Sequence, residues 1–200
     1  MNLIMPVVES LIRQKLLQIR EQRNPMDKLN TIKPMIICGV DPGANGGIAI
    51  IIGSDAYAWK HPETEDDLVA LFEEIQLSFG LIDLCMVEKQ HSMPATAPHP
   101  TIPGQTVTVQ GVTSTWSFAE GYGVIRGVLA ALRIKREFIA PQTWQKALGI
   151  PKREKTESHT QFKNRLKQKA QELFPGFPMT LALCDALLIA ETGRRIYGSV

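Results

Sequence analysis

The stretch Met35-Ile36-Ile37-Cys38-Gly39-Val40-Asp41-Pro42-Gly43, answered by Gly46-Gly47-Ile48-Ala49-Ile50-Ile51-Ile52, decides how this chain folds. An apolar run ends in a carboxylate, a glycine-rich turn follows, and a second apolar run returns, which predicts two strands joined tightly. Working outward, Ala56–Lys60 reads as a third strand. Leu68, Leu71, Phe72 and Ile75 recur at helical spacing within Thr64–Phe79, with acids on the opposite face. Leu81–Glu88 is a strand that again ends in a carboxylate. Ser92–Thr115 contains Pro94, Pro98, Pro100 and Pro103 and reads mainly as a long surface loop. The pattern over Thr115–Leu132 is helical, and Gly121, Gly123 and Gly127 imply close packing against another helix. Glu137–Ala140 reads as a short strand. Pro141–Leu148 opens on proline and stops before Gly149, as a helix does. Ser158 suits the cap of a helix over Ser158–Phe174, Pro175–Pro178 breaks it, and Thr180–Thr192 is the last helix. This alternation implies an α/β sandwich around a mixed sheet flanked by helices.

Upstream of Met35 the chain has a different character. Ile4, Val8, Leu11, Ile12, Leu16 and Ile19 fall at helical spacing, so an amphipathic N-terminal helix over Pro6–Gln22 and a polar connector, Arg23–Lys33, form a unit at 1–33, ahead of a domain at 34–200. The helix suits packing on that domain, a dimerisation arm or an organelle-targeting segment, and Glu9 and Glu21 weigh against targeting. The whole chain, 200 residues, 44% hydrophobic and 21% charged, can bury a core and is unlike a disordered tail. Its longest apolar run, Gly46–Gly53, is too short to cross a bilayer, and the start lacks the pattern of a secretory leader. Cys38, Cys85 and Cys184 are far apart within apolar stretches. They read as buried reduced thiols of a cytoplasmic protein, since no Cys or His pair has zinc spacing.

Charge is unevenly spread. Between Arg133 and Glu172 there are eleven Lys/Arg and four acids, whereas Lys60–Lys89 holds eight acids and two lysines. The basic region suits a polyanion such as nucleic acid, or a solvated helix face, and charge alone does not choose between them.

Asp41 and Glu88 end apolar strands, and Asp185 lies within the apolar run Leu181–Ala190. Acids in such places need a cation or a proton to offset desolvation and repulsion. Mg²⁺ suits three carboxylates because it takes hard oxygen ligands and keeps waters for substrate phosphates, with Mn²⁺ as a substitute. Each acid also has an ordinary reading: Asp41 as a turn residue before Pro42-Gly43, Glu88 as a partner of Lys89 or His91, and Asp185 as the cap of a neighbouring helix.

Ile37-Cys38-Gly39-Val40-Asp41-Pro42-Gly43 with Gly46-Gly47-Ile48-Ala49 resembles the opening motif of the RuvC-type Holliday-junction resolvases, within the RNase H-like superfamily. Val87-Glu88-Lys89-Gln90 is similar to their second motif, and Gly121-Tyr122-Gly123-Val124-Ile125-Arg126-Gly127 to their glycine-containing dimer helix. Gly149-Ile150 with Glu154-Lys155 resembles a DNA-contacting segment, and Asp185-Ala186-Leu187-Leu188-Ile189-Ala190 the closing motif. The matches run in family order over Met35–Gly193. Pro141-Gln142-Thr143-Trp144 and the long loop favour a phage-type or divergent branch. The resemblance implies an RNase H-like fold and a homodimer that cuts four-way DNA junctions symmetrically, leaving 5′-phosphate and 3′-hydroxyl ends. It further implies two Mg²⁺ ions on Asp41, Glu88 and Asp185, and no nucleotide cofactor. Lys155 would hold a phosphate beside the site. Lys152, Arg153, Lys146, Lys163 and Lys167 would neutralise backbone charge, with Lys89, His91 and Met93 near the junction, where His91 or Met93 could wedge at the crossing point.

One position departs from the pattern. The family carries an acid or histidine three residues before its last catalytic carboxylate, and here that residue is Ala182. A three-acid site, a substitute residue elsewhere, or a natural acid replaced by alanine would each account for it. Two rival readings stay open: a non-catalytic branched-DNA binder of the same fold, and a fragment of an actin-like ATPase, whose phosphate loop also begins at a strand-end Asp followed by Gly. Trp116, Tyr122 and Trp144, at helical positions, read as core or dimer contacts.

Overall fold

The computed structural model describes residues 34–43, 45–90, 96–98, 101–108 and 111–198. The N-terminal helix and its connector, His91 and Met93 lie outside them.

The two apolar runs form β1 (Ile36–Asp41) and β2 (Gly47–Ile52), antiparallel, with Asp41 opposite Gly47. β3 (Asp55–Lys60) continues the meander on the far side of β2. The chain then crosses through α1 (Glu65–Phe79), whose Thr64 cap accepts from the Asp67 N–H at 3.1 Å. It returns as β4 (Leu84–Glu88), parallel to β1, and later adds β7 (Arg136–Ile139), parallel to β4. The sheet order is β3-β2-β1-β4-β7. This is the expected mixed sheet, with antiparallel hairpins on one side and helix-connected parallel strands on the other.

Strand alternation divides the core in two. Ile36, Cys38, Val40, Ile48, Ile50, Cys85 and Val87 face Leu68, Phe72 and Ile75 of α1, with Ile125 and Leu129 of α2 (Val112–Ala131). Ile37, Ala49, Ile51, Leu84 and Met86 face the other way, onto α5 (Leu181–Tyr197). Trp144 of α3 (Pro141–Ala147) and Leu166 and Ala170 of α4 (His159–Leu173) complete that second layer. Because β1 and β4 are covered on both faces, they read as continuous apolar runs. Burying each large side chain, such as Phe72, contributes roughly 1.5–3 kcal/mol.

The expected loop after Glu88 contains more structure than its prolines imply. β5 (Thr96–Pro98) pairs antiparallel with β6 (Thr106–Thr108), and α2 begins at Val112, before the position read from the sequence. Pro98 stands at a strand end in a two-stranded sheet, where its missing N–H does not interrupt a ladder. Ser158 and Gln161 form a reciprocal capping box, which fixes the start of α4 where the sequence placed it. The last helix runs on to Tyr197, with Glu191 held by Arg194 and Arg195 across one turn.

Among the described residues, no helix packs closely on Gly121, Gly123 and Gly127 as the sequence led one to expect. A Cβ at any of the three meets nothing within 4 Å. The tight approach occurs at Gly39, where a Cβ would sit 2.3 Å from the Ala186 carbonyl oxygen and 2.4 Å from the Ala190 nitrogen. Trp116, read as a core or dimer contact, is 69% exposed, whereas Trp144 is fully buried.

Candidate active site

Two strands and one helix deliver the three acids. Odd-numbered residues of β1 face α5, so Asp41 follows Ile37 and Gly39 onto that face. On β4 the even-numbered residues face α5, so Glu88 follows Leu84 and Met86. Val40 pairs in register with Val87, and Asp41 and Glu88 are therefore the next residues along two adjacent parallel strands. The third acid comes from α5, whose backbone rests on Gly39 without an intervening side chain. That contact brings Asp185, one residue before Ala186, down beside the strand ends.

The three carboxylates act on one another through their charges. Burial, the Asp185 charge and partial relief from Lys163 and the Gly43 N–H leave Asp41 raised to about 6. Burial and the Asp41 charge raise Glu88 to about 7, against the lowering effect of its hydrogen bond from Trp144. Buried anions at neutral pH thus repel one another in this cluster.

Two of the acids have partners that their ordinary readings did not foresee, while Asp41 accepts from the Gly43 N–H as a turn residue does. Glu88 does not pair with Lys89, which is exposed. Its Oε2 accepts from Trp144 Nε1 at 2.8 Å and its Oε1 from Gln90 Nε2 at 3.2 Å. Among the described residues, Asp185 caps no neighbouring helix. It is 4% exposed, forms an ion pair with the Lys163 ammonium, and accepts from Cys184 Sγ at 3.2 Å. Lys163, expected to neutralise DNA backbone charge, is thus turned inward. Burial pulls its pKa down, but the charges of Asp185 and Asp41 and the hydrogen bond to Asp185 outweigh this and raise it above the ordinary lysine value.

Glu88 and Asp185 line a cleft of about 550 Å³, together with Trp144, Lys152, Arg153, His159 and Lys163. Lys146 and Lys152 line a second, larger hollow of about 860 Å³ alongside Gly149 and Pro151. Lys89 and Lys155 are exposed and line neither, and Lys167 is partly covered on α4. His159 was missed in the sequence, although the Ser158 cap already implied that the residue after it opens a helix.

The donor set fits a hard divalent cation in its chemistry: carboxylates from three elements, two of them under electrostatic strain that a cation relieves. In geometry it is not a finished cage. Among the described residues, no three acidic, histidine or cysteine side chains are drawn together tightly enough to hold one ion. The cation in contact with Asp185 is Lys163.

A mixed five-stranded sheet with helices on both faces and the order β3-β2-β1-β4-β7 is a RuvC/RNase H-like α/β fold. Among solved structures, the chain is similar to Thermus thermophilus RuvC in complex with a Holliday junction substrate, at 15% identity and a TM-score of 0.52, covering 82% of this chain and 97% of that one. A second structure of Thermus thermophilus RuvC aligns at 15% identity and a TM-score of 0.46, over 82% of this chain and 98% of that one. At such identity the likeness is one of fold. The sequence matches no protein-family model and no curated protein.

Proposed function

We propose that this chain is a metal-dependent endonuclease that resolves four-way DNA junctions as a homodimer. The observation that carries the reading is the placement of Asp41 and Glu88 at the ends of adjacent parallel strands under α5, with Glu88 and Asp185 lining a cleft that Lys152, Arg153 and His159 also line, on a fold shared with RuvC. Asp41, Glu88 and Asp185 are the residues that would hold Mg²⁺ or Mn²⁺. When bound, the metal supplies Lewis acidity that activates water and stabilises the leaving oxygen of a phosphodiester.

The remaining work belongs to the chain's own groups. Trp144 and Gln90 together fix both oxygens of Glu88, which limits its rotation toward the cleft. Lys152, Arg153, Lys146, Lys89, Lys155 and Lys167 would neutralise phosphates along the DNA arms, so binding weakens as salt rises. The exposed side of α2, with Gly121, Gly123 and Gly127 open to close approach, supports a two-fold helix contact. Phe138, 39% exposed, and Arg126, stacked 5.5 Å over its ring, extend that surface. The unit at 1–33 is proposed as separate from the nuclease domain at 34–200.

Ala182 and the Lys163–Asp185 pair favour a second reading, a junction binder without cleavage. One experiment separates the two. A labelled four-way junction is incubated with the protein and Mg²⁺ or Mn²⁺, and symmetric nicks absent from linear duplex are expected. A junction that is bound but left intact with both ions refutes the nuclease and supports the binder.

A further inference from the structure

We propose that Arg165 is a positioning residue of the DNA-binding surface: it fixes the loop 151–157 so that Lys152 and Arg153 stand at the cleft, and it is not itself a phosphate contact. The inference rests on the reading of this cleft as a DNA path and names what shapes it.

Residues 151–157 lie between α3 and α4 and belong to neither helix nor strand. Lys152, Arg153 and Lys155 carry like charges close together there, so the segment needs an anchor to keep one shape. Arg165 of α4 supplies it from both ends. Its Nη1 donates to the Pro151 carbonyl at 2.9 Å, and its Nη2 reaches the Lys152 carbonyl at 3.4 Å. On the other side, Nε donates to Glu157 Oε1 at 3.1 Å and Nη2 to Oε2 at 2.8 Å, a two-pronged pair that only a planar fork makes. The guanidinium also lies 4.9 Å from the centroid of the Phe162 ring, which lines the cleft.

All three guanidinium nitrogens are thus engaged within the chain, although Arg165 belongs to the most basic stretch of the sequence. What the anchor holds is the backbone at Lys152 and its neighbour Arg153. Both side chains line the cleft beside Glu88 and Asp185, and Lys152 also lines the adjoining hollow with Lys146. A loop already held in shape loses less freedom when it takes up phosphates. Glu157 acquires a role opposite to its charge. An acid in a DNA-binding segment repels the ligand, but this one closes the far end of the anchor, and its side chain is 17% exposed.

The test measures binding of a fluorescein-labelled four-way junction to the full chain by anisotropy, in chelator and over a range of NaCl. Arg165→Lys keeps the charge and loses the fork. It is expected to bind roughly tenfold more weakly at 0.1 M salt, with a log–log salt slope shallower by about 1–2, because Lys152 and Arg153 no longer meet phosphates together. Glu157→Ala removes a negative charge, which attraction to DNA alone would reward, yet it is expected to weaken binding in the same way. With Lys152 and Arg153 already alanine, Glu157→Ala is expected to add less than about twofold, since the loop has little left to place. Melting followed by circular dichroism checks that each variant is folded at the assay temperature, and if Arg165→Lys is not, the loop variants Glu157→Ala and Glu157→Gln decide. Tighter or unchanged binding by Glu157→Ala overturns the inference, as does an Arg165→Lys chain that binds like wild type. A wild-type chain that does not bind the junction overturns the proposed function as well, whereas wild-type binding with unaltered variants overturns this inference alone.

Discussion

Glu88→Gln should make the metal-free protein more stable at pH 8. Glu88 is raised from 4.5 to about 7, chiefly by burial and by the Asp41 charge. A carboxyl whose pKa is raised on folding binds its proton more tightly in the folded state, so stability falls as pH climbs from the unfolded value through the folded one. At about 1.36 kcal/mol per unit, the ionised Glu88 costs about 3 kcal/mol at pH 8. Asp41, raised from 3.8 to about 6, adds a similar cost. The Asp41–Glu88 repulsion enters only the Glu88 rise, so replacing Glu88 removes that repulsion together with its own burial cost. Urea unfolding in chelator at pH 5, 6, 7 and 8 measures this. Wild-type stability should drop by several kcal/mol across that range, and Glu88→Gln should remove about half of the drop. Mg²⁺ should restore stability at pH 8 in the wild type more than in the variant. Glu157 and Glu191 are lowered, so their contributions are lost only in acid below this window. A wild-type stability that is flat or rises between pH 5 and 8 would refute the reasoning.

Three further outcomes are expected. Gly39→Ala places a methyl 2.3 Å from a helix carbonyl that cannot yield without lifting α5, so thermal unfolding should show a loss of about 3 kcal/mol. Trp144→Phe keeps a buried ring but removes the donor to Glu88 Oε2, which should cost about 1–3 kcal/mol and move the stability drop to higher pH; unchanged pH dependence counts against the hydrogen bond. Replacing both Lys152 and Arg153 by alanine should weaken junction binding in fluorescence anisotropy and reduce the slope of log affinity against log salt by about 2. An unaltered slope removes those residues from the DNA path.

Much of the site is written locally. The apolar run into Asp41, the repeat of that design at Glu88 and the acid inside Leu181–Ala190 are visible because a charge in an apolar element violates the local pattern. Trp144 and Lys163 gave no such signal. A tryptophan in a short helix reads as core, which it is, and its indole N–H reaches Glu88 only because α3 packs against the end of β4. Lys163 reads as one of several lysines on an exposed helix, and nothing in its neighbours marks the face that turns inward.

The glycines divide along the same line. Gly121, Gly123 and Gly127 carry a helical spacing that suggests contact, yet among the described residues nothing lies within 4 Å of where their Cβ atoms would stand. Gly39 sits in an unbroken strand and is silent as a pattern, though it admits the backbone of α5. The sequence by itself determined the order of the five sheet strands and the helices around them, the two-sided burial of the central sheet and which three acids stand in apolar elements, because periodicity and misplaced charge are properties of neighbouring residues. Only the tertiary structure decided which face each helix presents and which cation answers Asp185. Those depend on contacts between segments far apart in the chain, where close packing leaves room for one arrangement of backbones and charges.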